Sequence, residues 1–235
     1  MSTAERSTPP RAPSRPPVDE DSLLTVPDRL VHAVLITDPG AVRRIKLRRE
    51  RSPSAPRDEV WDGVYIMSPM ADIEHQVIGL ELASSLLATV KRRGGGWVVA
   101  GLNVSDRIED WKANYRIPDV AVFLAGNPAI IRKAHACGGP DLAVEILSED
   151  DLARQKLEFY AKIGTREVVL IDRDPWAIEL YRLADGALAL VGISTPAAPE
   201  VLTSTVLPIT LRLLPGDGRP TLEVASTDHP RVWRI

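Results

Sequence analysis

The regular alternation of apolar and polar positions begins near Glu59 and divides the chain into recognisable elements. Residues 60–67 hold two short apolar runs around Asp62-Gly63, a pair that favours a tight hairpin turn, so two short strands are expected there. Over residues 72–91, Ile78, Leu82 and Leu86 recur every fourth position, which predicts an amphipathic helix that Gly94-Gly95-Gly96 terminates. Residues 97–104 read as a strand. Residues 119–124 and 142–147 are nearly continuous apolar runs, as expected of central strands covered on both faces. A helix is predicted over 151–163, ended by Gly164, with a strand over 168–172 after it. Segments 178–183 and 187–191 flank Asp185-Gly186, a second hairpin signal. From residue 192 onward there are six prolines and one strand pattern, over 206–213. This order predicts one α/β domain: a mixed β-sheet flanked by helices.

The N-terminal part differs. Residues 1–17 contain five prolines among Ser, Thr and Arg, too little apolar surface to offset chain entropy, so a disordered Pro-rich tail over residues 1–25 is expected. An extension over 26–57 follows, with a short ordered piece near residues 30–36. Between Arg43 and Arg57 seven basic residues face one acid, which reads either as a solvated charged face or as a phosphate-contacting patch.

Composition narrows the function classes. Apolar residues make up 44% of the chain and charged residues 26%, enough to build a core, and the net charge of −3 excludes a protein that coats nucleic acid by charge alone. Cys137 is the single cysteine, so no internal disulfide framework exists. No apolar run reaches the ~20 residues of a membrane span. The opening residues lack the apolar stretch of a signal peptide. A cytoplasmic location without membrane contact is the expectation.

Two acids stand out against strand geometry. Strand alternation puts Asp119 on one face with Ala121 and Phe123, and Glu145 on one face with Ala143 and Leu147, between Val144 and Ile146. A carboxylate inside such a strand loses hydration and needs a cation or donors. The following helix offers a cation: at 100° per residue Lys156 lies only about 40° from Leu152, inside the stripe that includes Phe159 and Ile163, with Tyr160 at its flank. Either Lys156 snorkels to the helix edge or it meets the strand carboxylates. Two carboxylates suit a hard divalent cation that keeps several waters, and a nearby ammonium can stabilise charge on a phosphate. The same set also fits a structural ion-pair network in a protein-interaction domain. His75, alone on the apolar side of its helix, reads first as a hydrogen-bonded packing residue and second as an active-site neighbour. His135 and Cys137 are read as parts of a loop before Gly138-Gly139-Pro140, with no nucleophilic role.

Several segments in order carry a resemblance. Ile117-Pro118-Asp119-Val120-Ala121-Val122, Pro140-Asp141-Leu142-Ala143-Val144-Glu145-Ile146-Leu147-Ser148, the run from Lys156 to Gly164, Val169-Leu170-Ile171-Asp172 and Glu179-Leu180-Tyr181-Arg182 closely resemble the Uma-two family of restriction endonucleases, within the PD-(D/E)XK nuclease superfamily. Glu59-Val60-Trp61-Asp62-Gly63, Met67-Ser68-Pro69, Glu74-His75 and Leu207-Pro208-Ile209 extend it to roughly residues 58–214. The resemblance implies a restriction-endonuclease-like core over 58–214, a C-terminal tail over 215–235, and a Mg²⁺- or Mn²⁺-dependent endonuclease acting on DNA as a homodimer. It maps the metal ligands to Asp119 and Glu145, the catalytic lysine to Lys156, and an assisting acid to Glu59. The superfamily's usual lysine position, two residues after the acid, holds Leu147 here, so Lys156 on the helix is the substitute. A nuclease-fold module that binds nucleic acid without cutting is the alternative in the same fold.

Overall fold

The four-residue recurrence of Ile78, Leu82 and Leu86 produces a long helix, and the sheet beneath it organises the rest of the chain. A computed structural model describes residues 34–49, 57–68, 71–148 and 151–235. The expected disorder of the N-terminal tail lies outside the described residues. Along the chain come β1 (Val34–Ile36), α1 (Pro39–Arg49), β2 (Glu59–Trp61), β3 (Val64–Met67), α2 (Ile73–Arg92), β4 (Gly96–Ala100) and β5 (Asn103–Ser105). Next are β6 (Tyr115–Arg116), β7 (Val120–Leu124), β8 (Ile130–Ile131), β9 (His135–Cys137), β10 (Leu142–Ile146) and α3 (Leu157–Lys162). The last strands are β11 (Glu167–Arg173), β12 (Trp176–Ala184), β13 (Ala187–Ser194), β14 (Leu202–Thr203), β15 (Ile209–Leu214), β16 (Thr221–Ser226) and β17 (Val232–Arg234). Among the described residues no helix is long and apolar enough to cross a membrane.

Among the described residues the strands form three sheets: six-stranded β13-β12-β11-β10-β7-β4, seven-stranded β1-β3-β2-β6-β5-β9-β8, and four-stranded β14-β15-β16-β17. The six-stranded sheet is mixed, since β10 and β11 run parallel while its other pairs are antiparallel. Alternation along β7, β10 and β11 feeds two cores. Val120, Val122, Val144, Ile146, Val169 and Ile171 pack with Ile78, Leu82, Leu86 and Val90 of α2. Ala121, Phe123, Ala143, Leu147, Val168 and Leu170 pack with Ala153, Phe159 and Tyr160. Each fully buried aliphatic side chain contributes roughly 1.5–3 kcal/mol, so the two faces together fix the strands that carry the acids.

Four readings are corrected. The strand expected over 97–104 breaks at Gly101, whose positive φ of 66° turns the chain from β4 in one sheet to β5 in another. The helix expected over 151–163 is a 3-10 turn (Ala153–Lys156) followed by α3, because the Asp151 carboxylate accepts the Ala153 N–H at 2.7 Å and tightens the first turn. Residues 215–235 are no tail: β16 and β17 complete the four-stranded sheet, and Leu222, Val224 and Ile235 join the α2-side core. His135 and Cys137 lie in a strand, β9, where the buried His135 ring stacks on Trp111 at 4.8 Å. Within the basic stretch, Arg43 to Arg49 belong to α1.

Asp106, just after β5, ties α3 to the seven-stranded sheet through Lys162 at 2.8 Å and Arg107 at 3.0 Å. Partial burial tends to raise its carboxyl pKa, but Lys162 and Arg107 outweigh this and lower it from 3.8 to about 2. A depressed folded pKa gives stability that is complete above the unfolded value and disappears as pH falls through the folded one. Asp106→Asn is therefore expected to be less stable than wild type at neutral pH by about 1 kcal/mol or less, given the exposed Lys162. The gap should close between about pH 4 and pH 2 in chemical melts; a gap that persists at pH 2 contradicts the assignment.

Candidate active site

Asp119 directly precedes β7, and the β7–β10 register positions it. Leu142, Ala143 and Val144 pair with Val122, Ala121 and Val120, so one further antiparallel step sets Glu145 opposite Asp119. The Ile146 N–H confirms the approach by donating to Asp119 Oδ2 at 2.8 Å. Both acids are buried; Glu145 meets Lys156 and Tyr160 on the α3 side, whereas the side-chain partner of Asp119 from a helix is His75 of α2. Like charges directly opposite in a sheet repel, so this arrangement needs cations.

Lys156 is the nearest one. It ends the 3-10 turn and is buried, with Nζ 3.1 Å from both Glu145 oxygens. Its other partner is not Asp119 but Glu59, at 2.9 Å. Glu59 reaches the site from β2 in the seven-stranded sheet and is itself only 2% exposed, held by the Ile117 N–H at 2.8 Å and the Trp61 indole N–H at 2.6 Å. The structure thus brings Glu59, Glu145 and Lys156 into direct contact, with Asp119 across the strand pair.

Asp119 has its own donors. His75 Nε2, at the start of α2, lies 2.9 Å from Oδ1, and the Arg57 guanidinium pairs with the same oxygen. His75 is therefore both a hydrogen-bonded packing residue and a neighbour of the acid cluster. Tyr160 and Arg57 were not singled out as site residues from the sequence. Tyr160 donates its hydroxyl to Glu145 Oε1 at 2.5 Å. Its signal was its place four residues after Lys156, on the same side of the helix; that of Arg57 was a basic residue two before Glu59.

The supports around Lys156 are equally specific. Arg116 lies between the Trp61 and Phe159 rings, 4.5 and 4.2 Å from their centroids, and so joins β2 to α3. Arg154, two residues before Lys156, donates to Glu179 at 2.6 Å and Asp172 at 3.0 Å, which anchors the 3-10 turn on β11 and β12.

Charge is unevenly shared. Burial pushes the Glu145 carboxyl up; Lys156 opposes that, but Asp119 and Glu59 add to it, and the net shift is upward. Burial alone lowers a lysine, yet Glu145 and Glu59 reverse this and hold the Lys156 ammonium above the ordinary range. One buried ammonium faces two carboxylates with a third nearby, so the lysine keeps its proton while the Glu145 carboxyl is pushed upward. Burial also tends to raise Asp119, but His75, the Ile146 N–H and Arg57 outweigh it and lower its carboxyl below the usual value. Tyr160, raised by burial and by Glu145, stays a phenol and a donor.

The donor set suits a cation of one kind. Asp119 and Glu145 offer hard oxygens from facing strands, and Asp119 Oδ1 already attracts a guanidinium. Among the described residues no three His, Cys, Asp or Glu side chains converge as a ready-made metal cage. A two-carboxylate site fits an ion that keeps most of its own water, as Mg²⁺ does.

Comparison with known proteins gives a consistent picture. The sequence profile of a family named Uma2 and described as "Putative restriction endonuclease" matches residues 46–215. No curated protein matches the chain. Among solved structures, the chain is similar to the crystal structure of a "putative nuclease belonging to DUF820" from Anabaena variabilis ATCC 29413. The identity is 22%, the TM-score 0.51, and the match covers 65% of this chain and 85% of the other. At that identity the likeness speaks for the fold.

Proposed function

Because the chain belongs to the Uma2 family, whose description is "Putative restriction endonuclease", we propose that it is a Mg²⁺- or Mn²⁺-dependent endonuclease that hydrolyses DNA phosphodiester bonds. The observation that carries this reading is the buried Lys156 ammonium, 3.1 Å from a Glu145 that stands opposite Asp119. Asp119 and Glu145 would hold the ion, which would supply Lewis-acid polarisation of a phosphoryl oxygen and a more acidic water.

The chain's own groups do the rest. Lys156 stays protonated and cannot act as a general base. An ammonium has three N–H donors, and here they meet three oxygens, one of Glu59 and both of Glu145; one of the two Glu145 contacts is the one given up to orient the attacking water or to offset charge growing on the phosphate. Glu59 and Tyr160 are positioning residues: Glu59 aims the ammonium and Tyr160 holds the Glu145 carboxylate. The water oxygen forms the new bond to phosphorus as the P–O bond to the ester oxygen breaks, and the proton that the water gives up balances the one that the leaving oxygen takes.

Cutting both strands of a duplex calls for two sites related by a two-fold axis, so the reading includes a homodimer. The test is supercoiled plasmid incubated with the full chain in Mg²⁺ or Mn²⁺, and in EDTA. Nicked and then linear plasmid is expected with either metal, and intact supercoil in EDTA. Retarded but uncut plasmid in both metals sinks the enzyme reading in favour of a binding module.

A further inference from the structure

Asp119 Oδ2 accepts the buried Ile146 N–H within the sheet, so Oδ1 is the oxygen turned toward the half-exposed Arg57. Two donors already hold that oxygen. His75 is an interior group, its side chain 11% exposed, whereas the Arg57 side chain is 45% exposed over an Asp119 that is 9% exposed. Arg57 therefore sits at the mouth of the site, with its guanidinium between the carboxylate and solvent. Gly101, at the corner after β4, lies beside it: a Cβ there would stand 3.4 Å from Arg57 Nε and 3.5 Å from Cζ, ordinary contact distances, and it is the φ of +66° that calls for glycine. The Gly101 N–H also donates to the Asp119 carbonyl at 3.2 Å, so this corner belongs to the site.

We infer that Arg57 is a substrate-positioning residue: its guanidinium is parked on Asp119 Oδ1 and moves to a phosphate oxygen of the DNA when a cation takes that oxygen. The inference rests on the metal-dependent reading above. A divalent ion and a guanidinium compete for one oxygen, and the half-exposed arginine is the cheaper to displace. Arg57 cannot travel far, because Glu59 two residues later is locked into β2 by Ile117 and Trp61. The released planar fork then lies beside the bound ion, where a phosphate must come, and bidentate phosphate recognition is what a guanidinium does better than an ammonium. Metal and DNA should consequently bind with positive coupling through one side chain.

The experiment is calorimetric titration of Mn²⁺ into full-length wild type, Arg57→Ala and Arg57→Lys. Binding of a fluorescein-labelled duplex of mixed sequence is measured alongside it in Ca²⁺. Arg57→Ala should bind Mn²⁺ about three- to tenfold more tightly and duplex about tenfold more weakly. Arg57→Lys should also lose duplex affinity, since a point charge replaces the fork. Opposite movement of the two affinities is the signature. A purely structural counter-ion gives unchanged duplex affinity, and that result, or weaker Mn²⁺ binding in Arg57→Ala, overturns the inference. Should Arg57→Ala not fold, Arg57→Gln carries the same two readouts. Equal Mn²⁺ binding by wild type and Arg57→Ala likewise overturns the inference, whereas wild type that binds no Mn²⁺ at all overturns the metal-dependent reading itself.

Discussion

Glu145→Gln and Asp119→Asn are each expected to reduce strand cleavage to background, while their effects on the metal-free fold should point in different directions. Each substitution removes one of the two proposed anionic ligands, and a neutral amide is a poor partner for a hard cation. Glu145→Gln takes one negative charge from a cluster in which Lys156 already faces Glu59 as well, and the amide oxygen can still accept from Tyr160. Its stability in EDTA should equal or exceed that of wild type. Asp119→Asn instead removes the charge that holds Arg57 and His75, and should cost about 1–2 kcal/mol, discounted for the half-exposed arginine.

A pH dependence separates the two further. The Glu145 carboxyl is raised in the fold by burial and its acidic neighbours, so between the unfolded and folded values the native state binds more protons. Wild-type stability in EDTA should fall as pH rises above the ordinary carboxylate range. The slope should be absent in Glu145→Gln. Plasmid cleavage and urea melts across pH check both points; a Glu145→Gln protein that cleaves at the wild-type rate refutes the site assignment.

Lys156→Ala should lower cleavage by roughly 10²–10³-fold, the scale of losing one oriented donor that acts on developing charge. It also leaves Glu145 and Glu59 buried beside each other without their cation, and breaking a buried pair this way costs about 3–5 kcal/mol. Protonation of Glu145 relieves part of that cost. Added metal should recover more of it, because the ion supplies the missing positive charge. Activity is therefore read per folded molecule, with melts in EDTA and Mg²⁺ alongside. Lys156→Arg should restore little turnover, since a planar fork does not fit between Glu59 and Glu145 as a compact ammonium does. A Lys156→Ala protein with wild-type turnover removes the mechanism.

Local periodicity made much of the scaffold legible. The four-residue spacing in α2, the apolar runs of β7 and β10, and the Asp62-Gly63 and Asp185-Gly186 hairpins all appear where the pattern puts them, with both Asp residues at positive φ. The inward turn of Lys156 was legible too, although the first turn is 3-10. The stripe itself is shifted: Ala153, Phe159 and Tyr160 are the buried residues beside Lys156, whereas Leu152 and Ile163 of the expected stripe are only partly buried.

Other features depended on distant partners. Leu222 and Val224 alternate with Glu223, but prolines and glycines interrupt 215–235, and only pairing with β15 turns that alternation into buried strand. The break at Gly101 reflects two sheets competing for one segment. The sequence by itself determined which residues carry charge into apolar surroundings: a carboxylate between Val144 and Ile146, another ahead of Val120, and a lysine within an apolar stripe. Only the tertiary structure decided how those charges pair. Strand and helix periods set the direction of a side chain within its own element, whereas the meeting of Glu59 with Lys156 and of Arg57 with Asp119 depends on how separate elements pack, and ion pairing acts over distances that only that packing creates.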